Sequence, residues 1–198
     1  YEEWYERNPI LAENELELIR SMGVESPALE VGVGSGFFSK AVGVEFGIDP
    51  SLKMLKGAVR KEIEVVRGVG ELLPFKDRSF STVLVVVTLC FMDDPERAIR
   101  EGRRVLREGG KLITCIIPRG SAWGKYYREV GRKGHPIYSE ARFLTLEELK
   151  RMISNSGLEI SDLRGVLGFA PSERPRREKP GNPERKGFVC LRAEKRSS

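Results

Sequence analysis

Residues 30–36 read EVGVGSG, and this stretch decides how the rest of the 198-residue chain is interpreted. An apolar run leads into it and two phenylalanines follow it. Alternating glycines after an apolar run predict the end of a buried strand, a tight turn and the start of a helix. Because glycine has no Cβ, the main chain of such a turn lies open to a ligand, and the first N–H groups of the helix favour anionic or polar atoms. A tight turn that binds nothing is the alternative.

The spacing of these glycines differs from the dinucleotide-binding fingerprint, which has glycines at its first, third and sixth positions. Counting from Gly32, the sixth position is Phe37. The fingerprint also has its acid about 20 residues further on, whereas Asp49 comes sooner in this chain. The pattern therefore argues against a nicotinamide-dependent dehydrogenase.

Strands and helices are predicted to alternate from the glycine turn onward. The predicted strands are 28–33, 44–48, 63–67, 80–87 and 111–117, with helices at 37–41, 51–60, 95–106 and 145–156. Residues 107–110, with two glycines, are expected to end the third of these helices. Two further strands, 160–167 and 187–193, are expected to pair antiparallel. The alternation predicts a parallel α/β sheet with right-handed crossovers in a single domain, 1–198.

An acidic residue, Asp49, ends the second predicted strand and is followed by Pro50 and Ser51. A carboxylate at the carboxyl end of this strand is where doubly wound folds hold a ribose diol, since it can accept hydrogen bonds from both hydroxyls. The alternative is a helix cap, because Asp49 and Ser51 both suit a helix N-terminus. The two roles can coexist.

Composition limits the remaining possibilities. The 34 basic and 29 acidic residues give a charge of +5, too small to argue for nucleic acid alone. No apolar run could span a bilayer and the first residues are charged, so a cytoplasmic protein without a secretory signal is expected. Cys90, Cys115 and Cys190 are widely spaced, which predicts buried free thiols and neither a metal site nor a disulfide framework. The single His, the absence of Gln and 32% charged residues suggest a heat-adapted source.

Together these segments resemble the class I S-adenosylmethionine-dependent methyltransferases, in the group called methyltransferase type 11. The resemblance rests on 30–36, 47–51, 68–75, 80–95 and 106–111. It implies a Rossmann-like α/β fold with a doubly wound, seven-stranded sheet in the order 3-2-1-4-5-7-6, mostly parallel with one antiparallel strand. It also implies S-adenosylmethionine as cofactor and S-adenosylhomocysteine as product.

The resemblance assigns each part of the cofactor to particular residues. The glycine loop would hold the methionine moiety and Glu30 its amino group, while Asp49 would bind the ribose and other residues the adenine and the sulfonium. The implied cofactor-binding residues are Glu30, Gly32, Gly34, Gly36, Asp49, Pro50, Gly70, Glu71, Leu72, Val87, Thr88 and Phe91.

Three positions depart from the family pattern. Val69 and Ser81 stand where the family often has Asp, and Phe91 replaces a frequent His, so a general-base role cannot be transferred to it. In-line methyl transfer needs mainly positioning and the exclusion of water, so a missing catalytic group is no objection. The catalytic residue stays unassigned, with His135 and Tyr5 as weak candidates; a structural or solvated His135 is the more common case.

Three segments surround this predicted core. Residues 1–26 are expected to form a helical cap opened by Pro9, with Tyr1, Trp4 and Tyr5 as a pocket cover or a hydrophobic anchor. The insert 118–143 carries aromatic and basic residues that would suit an anionic or aromatic acceptor if it covers the acceptor pocket. An amphipathic surface helix is the alternative. Residues 171–186 predict a mobile, solvated basic loop, or else a contact with nucleic acid or an acidic partner.

The sequence therefore predicts a methyltransferase acting on a small molecule, as a monomer or homodimer. A cofactor-binding module without turnover and an RNA- or protein-directed methyltransferase are the alternatives. Residues 88–91, TLCF, lack the Asn/Asp-Pro-Pro-Tyr/Phe-type signature of the family's nucleic-acid amino methylators, which disfavours methylation of a base nitrogen.

Overall fold

This computed structural model describes residues 2–196, which form seven strands and seven α-helices. The strands are Ala28–Val31 (β1), Phe46–Asp49 (β2), Glu64–Arg67 (β3), Phe80–Val86 (β4), Leu106–Ile116 (β5), Glu159–Val166 (β6) and Phe188–Glu194 (β7). The α-helices are Glu2–Arg7 (α1), Pro9–Ser21 (α2), Phe37–Val42 (α3), Leu52–Arg60 (α4), Pro95–Val105 (α5), Ala122–Arg132 (α6) and Leu146–Asn155 (α7).

All seven strands form one sheet in the order β3-β2-β1-β4-β5-β7-β6. Neighbouring strands from β3 to β5 are parallel, whereas β7 runs antiparallel to both β5 and β6. This confirms the predicted fold class, strand order and single reversed strand. The order places the ends of β1 and β4 side by side at the centre of the sheet, where chain connections diverge and such folds bind ligands.

Side chains of β4 alternate between two apolar cores, because both faces of the sheet are covered by helices. Leu84 and Val86 pack with buried residues of α2, α3 and α6. Val83 and Val85 pack with buried residues of α5 and α7 on the other face. The apolar run from Val83 to Val86 is therefore explained by burial on both faces.

Side-chain caps mark several helix starts. Ser51 caps α4 through its side chain, as its position after Asp49 predicts, and Asp94 caps α5, which has Pro95 in its first turn. At α7, Thr145 and Glu148 form a capping box. These local hydrogen bonds fix the residue at which each of these helices begins.

Residues 106–110 differ from the prediction of a helix end and a loop. They belong to β5, which begins at Leu106 directly after α5. Gly109 N–H donates to the carbonyl of Lys195 across 2.8 Å, and Lys195 N–H donates to the carbonyl of Gly110 across 2.9 Å. Pairing with the end of the chain thus overrides the local Gly-Gly signal.

Two cysteines correct the expectation of free thiols. Cys115 on β5 and Cys190 on β7 are joined by a disulfide, while Cys90 is free and buried. The two bonded residues are direct partners in the antiparallel register. The sequence did not indicate that the two cysteines are neighbours, because β7 pairs with β5 only after the long segment that separates the two strands.

The amino-terminal segment forms two helices, with Pro9 in the first turn of the second. Tyr5 is buried and stacks on Phe37 at 4.3 Å between ring centroids. Tyr1, named with Trp4 and Tyr5 as an aromatic cover, lies outside the described residues. Within residues 2–196 no helix combines the length and the apolar character that crossing a membrane would require.

Candidate cofactor and acceptor site

A cavity of about 870 Å³ opens at the carboxyl ends of β1, β2 and β4. Its wall brings together ten of the twelve residues named above for the cofactor, whereas Gly36 and Leu72 lie outside it. The ten are Glu30, Gly32, Gly34, Asp49, Pro50, Gly70, Glu71, Val87, Thr88 and Phe91. Residues distant in sequence meet here because parallel strands end at the same edge of the sheet.

The glycine turn approaches its neighbours so closely that side chains are excluded. Gly32 has φ +76°, and a Cβ there would lie 2.2 Å from Cγ2 of Thr88. Gly34 has φ +54°, also in the left-handed region that favours glycine. The turn therefore exposes its main chain to the cavity, as the sequence pattern predicts.

Asp49 links the second strand to this turn. Its Oδ2 accepts a hydrogen bond from Gly34 N–H at 3.0 Å, and its Oδ1 accepts one from Ser51 N–H at 2.8 Å. The Ser51 hydroxyl in turn accepts a bond from Met54 N–H and caps α4. Asp49 thus braces the turn, while Ser51 is the cap, and each carboxylate oxygen keeps a lone pair directed elsewhere.

Glu30 is a buried acid in the cavity wall, with 1% of its surface exposed. The Ser39 hydroxyl donates a hydrogen bond to its Oε2. Burial raises the pKa of Glu30 to about 8, because the charged carboxylate loses its hydration, and the Ser39 bond offsets only part of this effect. A cationic group that enters this end of the cavity would favour the ionised form.

Gly70 and Glu71 form the wall beside β4 and the first turn of α5. A Cβ on Gly70 would lie 2.8 Å from both Met92 Cε and Val31 Cγ1. Glu71 Oε1 accepts hydrogen bonds from the N–H groups of Asp93 at 3.0 Å and Asp94 at 3.3 Å. Gly70 is therefore required by its close packing against Met92 and Val31, and the carboxylate of Glu71 is bonded to the main chain.

Val69 lies in the cavity wall, whereas Gly36 and Leu72, both named above for the cofactor, lie outside it. The Val69 side chain lies in the cavity wall, so it supplies no hydrogen-bond acceptor where the family often has Asp. Leu72 is 66% exposed and lies beyond the wall. A Cβ on Gly36 would lie 2.4 Å from Ile63 Cδ1 and 3.2 Å from the Ala58 backbone, so this glycine allows α4 to pack beneath the turn.

Six residues of the cavity wall are apolar or carry only a hydroxyl group, and the name acceptor end is used here for them. They are Phe37, Phe38, Val87, Thr88, Phe91 and Ile137. The predictions included Val87, Thr88 and Phe91 but missed the other three. The aromatic pair after the glycine turn was a usable signal for two of them, since a residue at the start of α3 must border the turn.

Backbone strain marks the end of β4 in this wall. Val87 has φ +48°, which is rare for a β-branched residue and costs on the order of 1–3 kcal/mol. Its N–H donates to the carbonyl of Cys115 across 2.8 Å, which holds the conformation. Such strain is concentrated at functional sites in proteins.

The two weak catalytic candidates lie outside the cavity wall. Nδ1 of His135 accepts bonds from the N–H groups of Ile137 at 3.3 Å and Tyr138 at 3.5 Å, so it shapes the loop after α6. The Tyr5 hydroxyl donates to Oε2 of Glu15 at 2.9 Å behind Phe37. Burial raises the pKa of Glu15 to about 8.

The insert 118–143 contributes a single residue, Ile137, to the cavity wall. Trp123 and Tyr127 of α6 are buried in the core instead. Arg119 pairs with Glu148 at 3.1 Å outside the cavity. None of the insert's basic residues lies in the wall.

The segment 171–186 is attached to α2 by specific contacts. The Asn14 side chain donates to the carbonyl of Arg176 and accepts from Glu178 N–H, both at 2.9 Å. Arg177 pairs with Glu13 at 2.9 Å. The segment lies outside the cavity wall.

Comparison with known proteins identifies the family of this chain. The family model for a methyltransferase domain matches residues 29–114. A crystal structure from Thermotoga maritima, described as a SAM-dependent methyltransferase and possible histamine N-methyltransferase, superposes with a TM-score of 0.89. It is 35% identical, and the alignment covers 98% of this chain and 94% of that one. The chain therefore belongs to the class I S-adenosylmethionine-dependent methyltransferases.

Two curated relatives extend the comparison. A demethylmenaquinone methyltransferase of Thermotoga maritima is 30% identical over 173 residues, which cover 74% of this chain and 75% of that protein. An uncharacterized protein of Mycobacterium tuberculosis is 40% identical over 177 residues, or 86% of this chain. The alignment spans only 61% of the mycobacterial protein's length.

Proposed function

We propose that this chain binds S-adenosylmethionine at the glycine turn and transfers its methyl group to a small-molecule acceptor. The observation that carries the proposal is the position of Asp49 against the main chain of Gly34, at the carboxyl ends of β1 and β2. A glycine turn in the cavity wall, beside a carboxylate with lone pairs left for ribose hydroxyls, suits a nucleoside with an amino-acid tail.

The residues present fit this cofactor on structural grounds. Gly32 and Gly70 both line the cavity at positions where a Cβ would collide with neighbouring side chains, and the cavity is large enough for a nucleoside with a second molecule beside it. Asp49 offers carboxylate oxygens for ribose hydroxyls, and Glu30 lies ready for an ammonium group. Gly70 would lie against the adenine.

S-adenosylmethionine, when bound, supplies an activated methyl group and a neutral thioether leaving group. The chain's part is then to hold both partners in line and to exclude water. Phe37 and Phe91 are suited to excluding water, since both give the cavity wall an apolar surface. No residue of the acceptor end is needed as a nucleophile.

The relatives support a small-molecule acceptor without identifying it. One is named for demethylmenaquinone and another structure is described by a possible action on histamine. Both are small molecules, and we propose the same class for this chain.

The test is methyl transfer from S-adenosylmethionine labelled on its methyl group, with fractionated small-molecule extracts as acceptors. Label should appear in a small-molecule product, and RNA and protein in the same extract should stay unlabelled. Binding of the cofactor without transfer to any fraction would favour a module without turnover. Label in RNA or protein alone would contradict the small-molecule assignment.

A further inference from the structure

One part of the cavity wall belongs to a loop without regular secondary structure, residues 68–79, which connects β3 to β4. Four consecutive residues of this loop line the cavity, and they are Gly68, Val69, Gly70 and Glu71. Because neither a helix nor a strand orders them, contacts with neighbouring elements must hold these residues in place.

This loop lies at the nucleoside end of the proposed cofactor site. The glycine turn follows β1, Asp49 ends β2, and β3 lies on the other side of β2 from β1. In a nucleoside the base and the tail leave opposite sides of the ribose. With the tail at the glycine turn and the ribose at Asp49, the base therefore points toward the end of β3, where Gly68 begins the loop.

Arg104 of α5 makes five hydrogen bonds at this loop, which is as many as a guanidinium group has N–H donors. Two reach the main-chain carbonyls of Leu73 at 2.8 Å and Phe75 at 2.9 Å. Two more reach the carboxylate oxygens of Glu101, at 2.8 and 2.9 Å. The fifth reaches the carboxylate of Asp77, whose side chain is 71% exposed, and the other four do not depend on it.

Glu101 completes the junction between α5 and the loop. Its Oε2 accepts the N–H of Leu73 at 2.8 Å, so both main-chain polar groups of Leu73 are bonded to one ion pair of α5. The side chains of Glu101 and Arg104 are only 17% and 33% exposed, so water screens this pair only in part. Nearer the cavity, the Glu71 carboxylate accepts the N–H of Asp94 at the start of the same helix.

We propose that Arg104, together with Glu101, is a positioning residue that holds the nucleoside wall of the cavity in its binding conformation. The inference rests on the proposed function. Neither side chain lies in the wall, so the pair acts through residues 68–71. A planar guanidinium holds two carbonyls and a carboxylate at once, whereas lysine has three donors on a flexible stem. Without the pair, the cofactor would have to order the loop on binding, which lowers affinity.

The test uses Arg104→Lys, which keeps the charge but loses the planar group. Arg100→Lys is the matched control, because Arg100 lies on the same helix and pairs only with Glu96, at 3.3 Å. Each protein is titrated calorimetrically with S-adenosylhomocysteine and with methylthioadenosine, which has the nucleoside but no amino-acid tail. Arg104→Lys should bind both ligands at least about fivefold more weakly, by similar factors, and Arg100→Lys should bind both as the wild type does.

The second ligand separates positioning of the nucleoside wall from a general loss of structure or a defect at the tail. Wild-type affinities in a folded Arg104→Lys variant would overturn the inference, and so would a loss confined to S-adenosylhomocysteine. Glu101→Gln is the milder second variant, since it keeps the size of the side chain but loses one of its two acceptor oxygens. It should weaken both ligands in the same direction, and unchanged affinities would again contradict the role.

Hydrogen exchange of the Leu73 amide tests the same claim on the wild-type chain. Since this N–H donates to Glu101, it should be protected from exchange before any ligand is added. In Arg104→Lys the exchange should be faster, and S-adenosylhomocysteine should slow it again. A wild-type Leu73 amide that exchanges freely until the ligand binds would overturn the inference, because the ligand would then order the loop.

The wild-type titrations separate this inference from the proposed function. If the wild-type chain binds S-adenosylhomocysteine and Arg104→Lys binds it equally well, the positioning role fails while the cofactor site stands. If the wild-type chain binds neither ligand, the proposed function fails as well.

Discussion

The carboxylate of Asp49 accepts the N–H of Gly34 across 3.0 Å, so the end of β2 holds the glycine turn that follows β1. The same carboxylate accepts the N–H of Ser51 at 2.8 Å. One side chain thereby organises two loops on the floor of the cavity before any ligand enters. Such preorganisation lowers the cost of binding, since the turn need not be ordered by the ligand.

Removing this carboxylate should weaken the protein even without cofactor. Asp49→Ala leaves the N–H groups of Gly34 and Ser51 without their acceptor, and bonds to charged acceptors contribute about 1.5–3 kcal/mol each. We expect the free energy of unfolding to fall by about 3 kcal/mol or more, measured by urea denaturation. Asp77→Ala is the control, because it breaks only an exposed ion pair with Arg104. Equal losses in both variants would show that Asp49 does not brace the turn.

Gly36 and Gly43 form a matched pair for the close packing under the glycine turn. Both have positive φ, +83° and +78°, so alanine should cost about 1–2 kcal/mol at either position from backbone strain. A Cβ at Gly36 would also meet Ile63 Cδ1 at 2.4 Å, whereas nothing lies within 4 Å of a Cβ at Gly43. Thermal unfolding should therefore show Gly36→Ala less stable than Gly43→Ala by a further 1–3 kcal/mol or so. Similar melting temperatures would contradict this packing.

Cofactor binding should release a proton from Glu30. The pKa of the free protein's Glu30 is raised to about 8 by burial, so this carboxyl is mainly protonated at pH 7. An ammonium group beside it would favour the carboxylate, and affinity should rise as the pH increases toward 8. Calorimetry at pH 7 in buffers of different ionisation enthalpy counts the released proton. Glu30→Gln should abolish the release; an unchanged proton count in that variant would rule out this carboxyl as its source.

Glu15 should make the protein less stable as the pH rises. Its pKa is raised from 4.5 to about 8 in the folded chain, so the folded state keeps a proton that the unfolded state loses above pH 4.5. The free energy of unfolding should fall by about 1 kcal/mol per pH unit from this group between pH 5 and 8, and its contribution should level off above 8.

Glu15→Gln should reduce that pH dependence, measured by urea denaturation across the same range. Glu17→Gln, on the exposed face of the same helix, is the control and should leave the slope as it is. A wild-type slope in Glu15→Gln would place the proton on another group.

The sheet was predictable because its signals are local. The central strand β4 is mainly apolar, because helices cover both faces of the sheet there. The glycine turn could also be predicted from the sequence, because alternating glycines allow the positive φ values that a single tight turn requires. Asp49 followed from its place at the end of β2.

What escaped prediction depends on contacts between distant parts of the chain. The disulfide between Cys115 and Cys190 and the strand character of residues 106–110 both arise from β7, which returns to pair with β5. Ile137 reaches the cavity from an exposed loop after α6, where no periodicity marks it. Neighbours created by the tertiary fold leave no trace in local sequence.

The most direct test of the central claim is calorimetric titration of S-adenosylhomocysteine into the wild-type chain, Asp49→Asn and Asp77→Asn. The account predicts one site per chain, with affinity lowered about 10-fold or more in Asp49→Asn by the loss of a charged acceptor, and unchanged in Asp77→Asn. No binding to the wild-type chain, or equal affinities in all three proteins, would contradict it.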